Sequence, residues 1–260
     1  MIKFGMLADL HYGYENVGSR FCPLGRAKLK YILPFFKDCD FILNLGDLIN
    51  GTEDFEATSR LLAQLQEEMA GYPVVHVIGN HDAFHLNKSQ FVEVADPKLG
   101  AVNFFDRDGV RFIILDCNFY ADGTPYDCTH GDWTDTICPS IQLRWLKARL
   151  DECESAVVIL HHTLINGRGD PAESLSDPHM VRNSDEIREI IEASGKVKDV
   201  ISGHNHDGVQ ALHHGILYYT VPALCQFNNA PFVTAAMYDG EITFTPRFLQ
   251  LPKRVFLDRI

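Results

Sequence analysis

The chain has 260 residues, 46% of them hydrophobic and 22% charged, with a formal net charge of −12. That size fits one large domain or two small ones, and the composition excludes disordered and collagen-like classes. No apolar run approaches the ~20 residues that span a bilayer, and long basic tracts are absent, which argues against long nucleic acid as a partner.

Ile2 to Ala8 reads as a buried strand. It contains no basic region leading into a long apolar run, so no secretory signal is expected. Seven cysteines without a CxxC pair point to reduced thiols and a cytoplasmic protein. Arg26 to Lys37 has helical spacing interrupted near Pro34. Phe41 to Leu45 is a strand, Glu53 to Ala70 a helix with Leu61, Leu62, Leu65 and Met69 on one face, and Val74 to Ile78 a strand. Val102 to Phe105 and Arg111 to Leu115 form a hairpin turned at Arg107-Asp108-Gly109. Asn118 to Cys138 is a long polar loop, a kind that is more often functional than idle. Ser140 to Asp151 is a helix, Val157 to Leu160 a strand, Asn166 to Pro178 a second loop, and Asn183 to Ala193 a helix capped by Asn183 or Ser184. Val200 to Ser202, Gly208 to Leu212, Ile216 to Val221, Phe232 to Tyr238 and Glu241 to Thr245 are strands, the last two joined at Asp239-Gly240. The start is β-α-β-α-β and the end mostly antiparallel. Two packed mixed sheets with helices outside would bury this much apolar strand.

Five of these strands end in potential metal ligands: Asp9-Leu10-His11, Gly46-Asp47, Gly79-Asn80-His81-Asp82, His161-His162, and Gly203-His204-Asn205-His206. In α/β sheets the carboxyl ends of strands form the ligand crevice, so neighbouring strands would bring the five sets to one rim. Aspartate, histidine and one amide oxygen make a mixed O/N set that suits Mn, Fe or Zn. Seven candidates exceed one tetrahedral ion and suit two metals sharing a carboxylate, the arrangement that clamps phosphoryl displacement. Gly46, Gly79 and Gly203 stand where the chain must turn sharply. Each short motif alone is a common polar turn; five in order are not.

In type and order these residues resemble the calcineurin-like metallophosphoesterases, whose blocks read D-x-H, GD, GNH-[DE], H and GH-x-H, over about residues 1–210. The resemblance implies a four-layer αββα sandwich of two mixed sheets flanked by helices, in one domain over residues 1–260. It also implies a dinuclear centre of two divalent ions and in-line attack on phosphorus by a metal-bridging hydroxide. By the same resemblance Asp9, His11 and His206 hold one metal, Asn80, His161 and His204 the other, and Asp47 bridges them. His81 serves the leaving-group oxygen and Asp82 orients His81. The fourth block departs from the usual H-x-P, reading His161-His162-Thr163, so His162 competes with His161 as ligand. Asn50 stands where the second block often carries a second aspartate.

GDLING, GHNHDG and the closing RVFLDRI are similar to the Mn-dependent ADP-ribose/CDP-alcohol diphosphatase branch. That implies a pyrophosphate linkage in a small nucleotide derivative as substrate, with Mn favoured. A cyclic-nucleotide phosphodiesterase, a phosphomonoesterase and a non-catalytic scaffold are the alternatives, the last disfavoured by the full ligand set. Outside the motifs, Arg26, Arg168 and Arg182 are candidates for substrate phosphate and Tyr120, Tyr126 and Trp133 for stacking on a base, each set against a surface or packing role. His76 reads as a core histidine, His213-His214 as a turn, and His85, His130 and His179 as loop residues, with His85 near enough to the third motif to line a pocket. Cys128 and Cys138 would pair only in an oxidising compartment.

Overall fold

The strand runs are apolar on consecutive residues because both faces of each sheet are covered. The structure, a computed structural model, describes residues 1–95, 103–128, 132–171, 177–226 and 229–252; Val102, His130 and the closing RVFLDRI fall outside them. β1 (Ile2–Leu7), β2 (Phe41–Asn44) and β3 (Val74–His76) run parallel. β4 (Asn103–Arg107) and β5 (Val110–Ile114) are a hairpin. They join β6 (Ala156–Ile159), β7 (Val197–Ser202), β8 (Gln210–His213) and β9 (Ile216–Thr220) in a sheet of order β4-β5-β6-β7-β9-β8. The middle four strands are parallel and both edges antiparallel. β10 (Asn229–Tyr238) and β11 (Glu241–Gln250) form a hairpin whose β10 pairs with β1, giving β11-β10-β1-β2-β3.

Alternation along the strands sorts the side chains into three cores. Phe4, Met6, Phe41 and Leu43 meet Phe112, Ile114, Val157 and Ile159 between the sheets. Leu7 and Ile42 face outward, onto Leu29 and Ile32 of α1 (Gly25–Ile32) and Leu61, Leu62 and Leu65 of α2 (Phe55–Met69). On the other side Ile113, Val158 and Val200 pack on Leu143, Leu146 and Leu150 of α5 (Ser140–Asp151) and on Ile187 and Ile191 of α6 (Ser184–Ser194). The architecture is the expected αββα sandwich of two mixed sheets.

The helical spacing that starts at Arg26 is interrupted near Pro34, as expected: α1 stops at Ile32 and Leu33–Phe36 is a 3₁₀ turn, since proline has no N–H to continue the α-helical ladder. Two short helices went unread, α3 (Asn80–His85) and α4 (Lys88–Ala95), because six and eight residues carry too little periodicity. The last third is mostly antiparallel, as expected, with one exception: β7 and β9 are parallel neighbours, and β10 crosses to the other sheet. Strand direction there depends on partners remote in the chain.

Candidate metal centre

β1, β2, β3, β6 and β7 end at one rim, and the segments leaving them carry every candidate ligand. Hydrogen bonds from candidate ligands stitch the sheets together there. The backbone N–H of His204 donates to Asp9 Oδ2 at 2.9 Å, and His161 Nδ1 donates to the Leu45 carbonyl at 2.7 Å. Asp9, His11, Asp47 and His204 adopt φ of 53°, 47°, 51° and 66°, a left-handed conformation uncommon for side chains of this size. Such backbone persists only where surrounding structure over-determines it. Gly46 does make a sharp turn, with φ of +97°. Gly79 has an ordinary φ of −90°, and its reason is room: a Cβ there would overlap the Asp47 amide and Oδ1.

The donor atoms fall into two groups on either side of Asp47. On one side, His11 Nε2 lies 3.3 Å from His206 Nε2, 3.3 Å from Asp47 Oδ2 and 3.9 Å from Asp9 Oδ1. His206 Nε2 is 3.6 Å from Asp9 Oδ1, which is buried and has no hydrogen-bond partner. On the other, His161 Nε2 lies 3.1 Å from Asn80 Oδ1, 3.1 Å from His204 Nδ1 and 3.5 Å from Asp47 Oδ1. Asp47 thus turns one oxygen to each group.

The donor set fits a pair of divalent cations. Burial pushes Asp9 up to about 7. Burial would also raise Asp47, yet His161, His81 and His11 hold it well below the usual carboxylate range. Burial lowers His206 to about 4, which keeps its imidazole neutral, the form that ligates. Burial alone would lower His161, but Asp47 raises it to about 9. Because Nδ1 of His161 is held by Leu45, Nε2 is the nitrogen turned to Asn80 and Asp47. The Cys225 sulfur approaches His206 at Nδ1, 3.8 Å away, and burial pushes its thiol up, so the oxygen/nitrogen character of the set stands.

His162, the competing fourth-block residue, is fully buried with both ring nitrogens unpartnered, and its ring packs 4.6 Å from that of His204. The close approach to Asn80 and Asp47 belongs to His161. His81 sits beside the first group, its ring 4.6 Å from that of His11, while its backbone N–H donates to Asp47 Oδ1 at 2.8 Å. The orienting role expected of Asp82 is corrected. Its Oδ2 accepts from Gly79 N–H at 3.0 Å and its Oδ1 from Leu48 and Ile49 N–H at 2.9 and 3.2 Å. Adjacent helix residues do not face each other, so Asp82 cannot reach the imidazole of His81. It ties the loop after β2 to the start of α3.

The centre floors a cleft of about 550 Å³ whose wall includes Arg20, Trp133, His179 and Gln226. Of the stacking candidates only Trp133 lines it; Tyr126 is buried, stacked 4.8 Å from Phe84, and Tyr120 packs 4.4 Å from Tyr126. His85 lines it, and so does His179, read from sequence as a loop residue. Arg26 and Arg182 pair instead with Glu68 and Asp135, while Arg168 is exposed away from the cleft. His76 is the expected core histidine, 3.1 Å from the Asn44 amide. All seven cysteines are free, with Cys138 buried and Cys128 exposed. Arg20 and Gln226 were missed because nothing local in their sequence marks them; they pair across an isolated bridge.

The family model described as calcineurin-like phosphoesterase matches residues 2–208. A probable cyclic nucleotide phosphodiesterase from Psychrobacter arcticus is 26% identical over 82% of this chain and 73% of its own. A manganese-dependent ADP-ribose/CDP-alcohol diphosphatase from Arabidopsis thaliana is 23% identical over 94% of this chain and 93% of its own. Among solved structures, a dimetal phosphatase from Danio rerio superposes with a TM-score of 0.81, covering 95% of this chain and 96% of that one, at 17% identity, a likeness of fold. No helix among the described residues is long and apolar enough to cross a membrane. With family match, sandwich and rim in agreement, the chain belongs to the calcineurin-like phosphoesterases and is a metal-dependent phosphoesterase.

Proposed function

We propose that this enzyme hydrolyses the pyrophosphate linkage of small nucleoside diphosphate derivatives, of the ADP-ribose or CDP-alcohol kind, with two divalent cations, manganese favoured. The observation that carries the hydrolytic part is Asp47, whose two oxygens address two separate donor groups. In this reading Asp9, His11 and His206 hold one cation, Asn80, His161 and His204 the other, and Asp47 both. The cations, when bound, supply a water of lowered pKa and neutralise phosphoryl charge. The chain's own contribution is positioning. Burial of the donor groups excludes bulk water, the stitched rim fixes the ligands, and His81, at the cleft wall, gives a hydrogen bond or a proton to the departing oxygen. The linkage reading is supported by the Arabidopsis relative, which aligns along nearly the whole of both chains.

Cyclic-nucleotide phosphodiesterase activity is the second reading, supported by the Psychrobacter relative and by a Haemophilus influenzae 3′,5′-cyclic adenosine monophosphate phosphodiesterase, 29% identical over 76% of this chain. One panel separates them: manganese-supplemented protein with ADP-ribose, CDP-choline, cyclic AMP, bis-p-nitrophenyl phosphate and p-nitrophenyl phosphate. The highest kcat/KM is expected on the first two. A preference for cyclic AMP selects the second reading, and a preference for the monoester overturns both. Replacing His81 by glutamine should lower turnover of ADP-ribose about 10²-fold or more, with a smaller loss on p-nitrophenyl esters, whose leaving group needs no proton.

A further inference from the structure

Arg20 lies on the loop between the first motif and α1 and is an arginine among the residues that line the cleft. Its backbone is fixed: it bridges Val17 and Gln226, and the neighbouring Phe21 N–H donates to the Cys225 carbonyl at 2.9 Å. Its guanidinium reaches into the cleft, where Nη1 stands 2.9 Å from His81 Nε2 and 3.3 Å from His11 Nδ1. Among the described residues no carboxylate lies within ion-pair distance of it, whereas Arg26 and Arg182 each meet one and Arg111 meets both Asp106 and Glu152.

A guanidinium only donates, so both imidazole nitrogens must accept from it. Neither acceptor survives in a working site. His11 can ligate through Nε2 only with its proton on Nδ1, and a His81 that donates from Nε2 to a leaving oxygen no longer accepts there. Both changes release the guanidinium while its backbone stays pinned. It is left facing the cleft with its fork of donors and, among the described residues, no carboxylate within ion-pair distance. Its place beside His81 puts it on the leaving-group side of the reacting phosphorus. In a diphosphate the anion found there is the second phosphoryl group, whose oxygens match a guanidinium fork. In a cyclic monophosphate the leaving oxygen belongs to the sugar and no second phosphoryl follows.

We propose that Arg20 is a substrate-binding residue that grips the second, leaving-side phosphoryl group of a nucleoside diphosphate derivative. The inference rests on the diphosphatase reading and narrows it to one subsite.

Calorimetry on the manganese-loaded enzyme, at fixed free metal, tests it with AMP and the non-hydrolysable α,β-methylene ADP. Wild type should bind the diphosphate at least about tenfold tighter than AMP. Arg20→Ala should bring that ratio below about threefold, and Arg20→Lys, which keeps charge without the fork, should fall between. An unchanged ratio in both variants, or no preference in wild type, overturns the proposal. Melting curves identify a variant that fails to fold, in which case the other decides. Wild type that shows the ratio but does not hydrolyse ADP-ribose would sink the diphosphatase reading and leave the subsite standing; hydrolysis with no effect of Arg20 on the ratio would do the reverse.

Discussion

The two ends of the sandwich use the same backbone conformation for opposite purposes. At the end away from the cleft, Asp108, His214 and Asp239 have φ of 49°, 50° and 52°, each followed by a glycine of positive φ in a two-residue hairpin turn. They are exposed, and the turn type asks for that geometry. At the cleft end Asp9, His11, Asp47 and His204 take the same conformation while buried, followed by Leu10, Tyr12, Leu48 and Asn205. No hairpin requires it there. It is imposed by the rim contacts and aims donor atoms at two points. A left-handed residue that a turn explains carries no message, and one that only its surroundings explain marks a site.

The largest break in that comparison is Asp47→Ala. Losing the residue shared by both donor groups should cut turnover by about 10³-fold or more. Metal analysis should find fewer than two ions per chain. Activity of a fully metal-loaded variant equal to wild type would remove Asp47 from the centre.

Asp82→Asn comes next. The carboxylate accepts three backbone N–H groups that hold the rim segments, and an amide cannot reproduce them all. Urea unfolding should show a loss of about 1.5–3 kcal/mol, and manganese affinity should fall about 10–100-fold. A variant that kept both while losing turnover would return Asp82 to a direct role on His81.

The quiet end also has a buried acid, Asp199 on β7, which burial raises to about 7, with Glu241 adding to the effect. A carboxyl raised on folding favours the fold fully below about pH 4, and that contribution is lost as pH rises toward 7. Asp199→Asn should therefore stabilise the protein at pH 8, on the order of 1–3 kcal/mol, with the gain vanishing near pH 4. Thermal melts at the two pH values check it. Equal effects at both would show that the acid is not held neutral. The smallest effect belongs to the exposed turns. Asp239→Asn should change stability by less than about 0.5 kcal/mol and leave metal content unaltered, in contrast to any change at Asp47.

The sequence was most informative where chemistry is local. A strand followed within a few residues by Asp47, by Asn80 or by His204 announces both the end of an apolar run and a ligand. The order of those ends carried the fold class, the donor set and the family. Strand pairing was less legible, since β10 lies beside β1 and β9 beside β7 for reasons of partnership across long stretches of chain. α3 was hidden because its six residues look like a turn until a helix start is needed to point Asn80 inward.

By itself, then, the sequence determined which atoms are available for metals and phosphate, because residue type and strand ending are properties of short segments. Tertiary structure alone decided how they are used. It turned His161 rather than His162 toward Asn80 and Asp47, through a bond from Nδ1 to a carbonyl 116 residues away. It gave Asp82 to the backbone of another loop. It set Arg20 beside His81 by a bridge to Gln226. Each outcome depends on which distant groups share a small buried volume, and that is settled only when the two sheets pack.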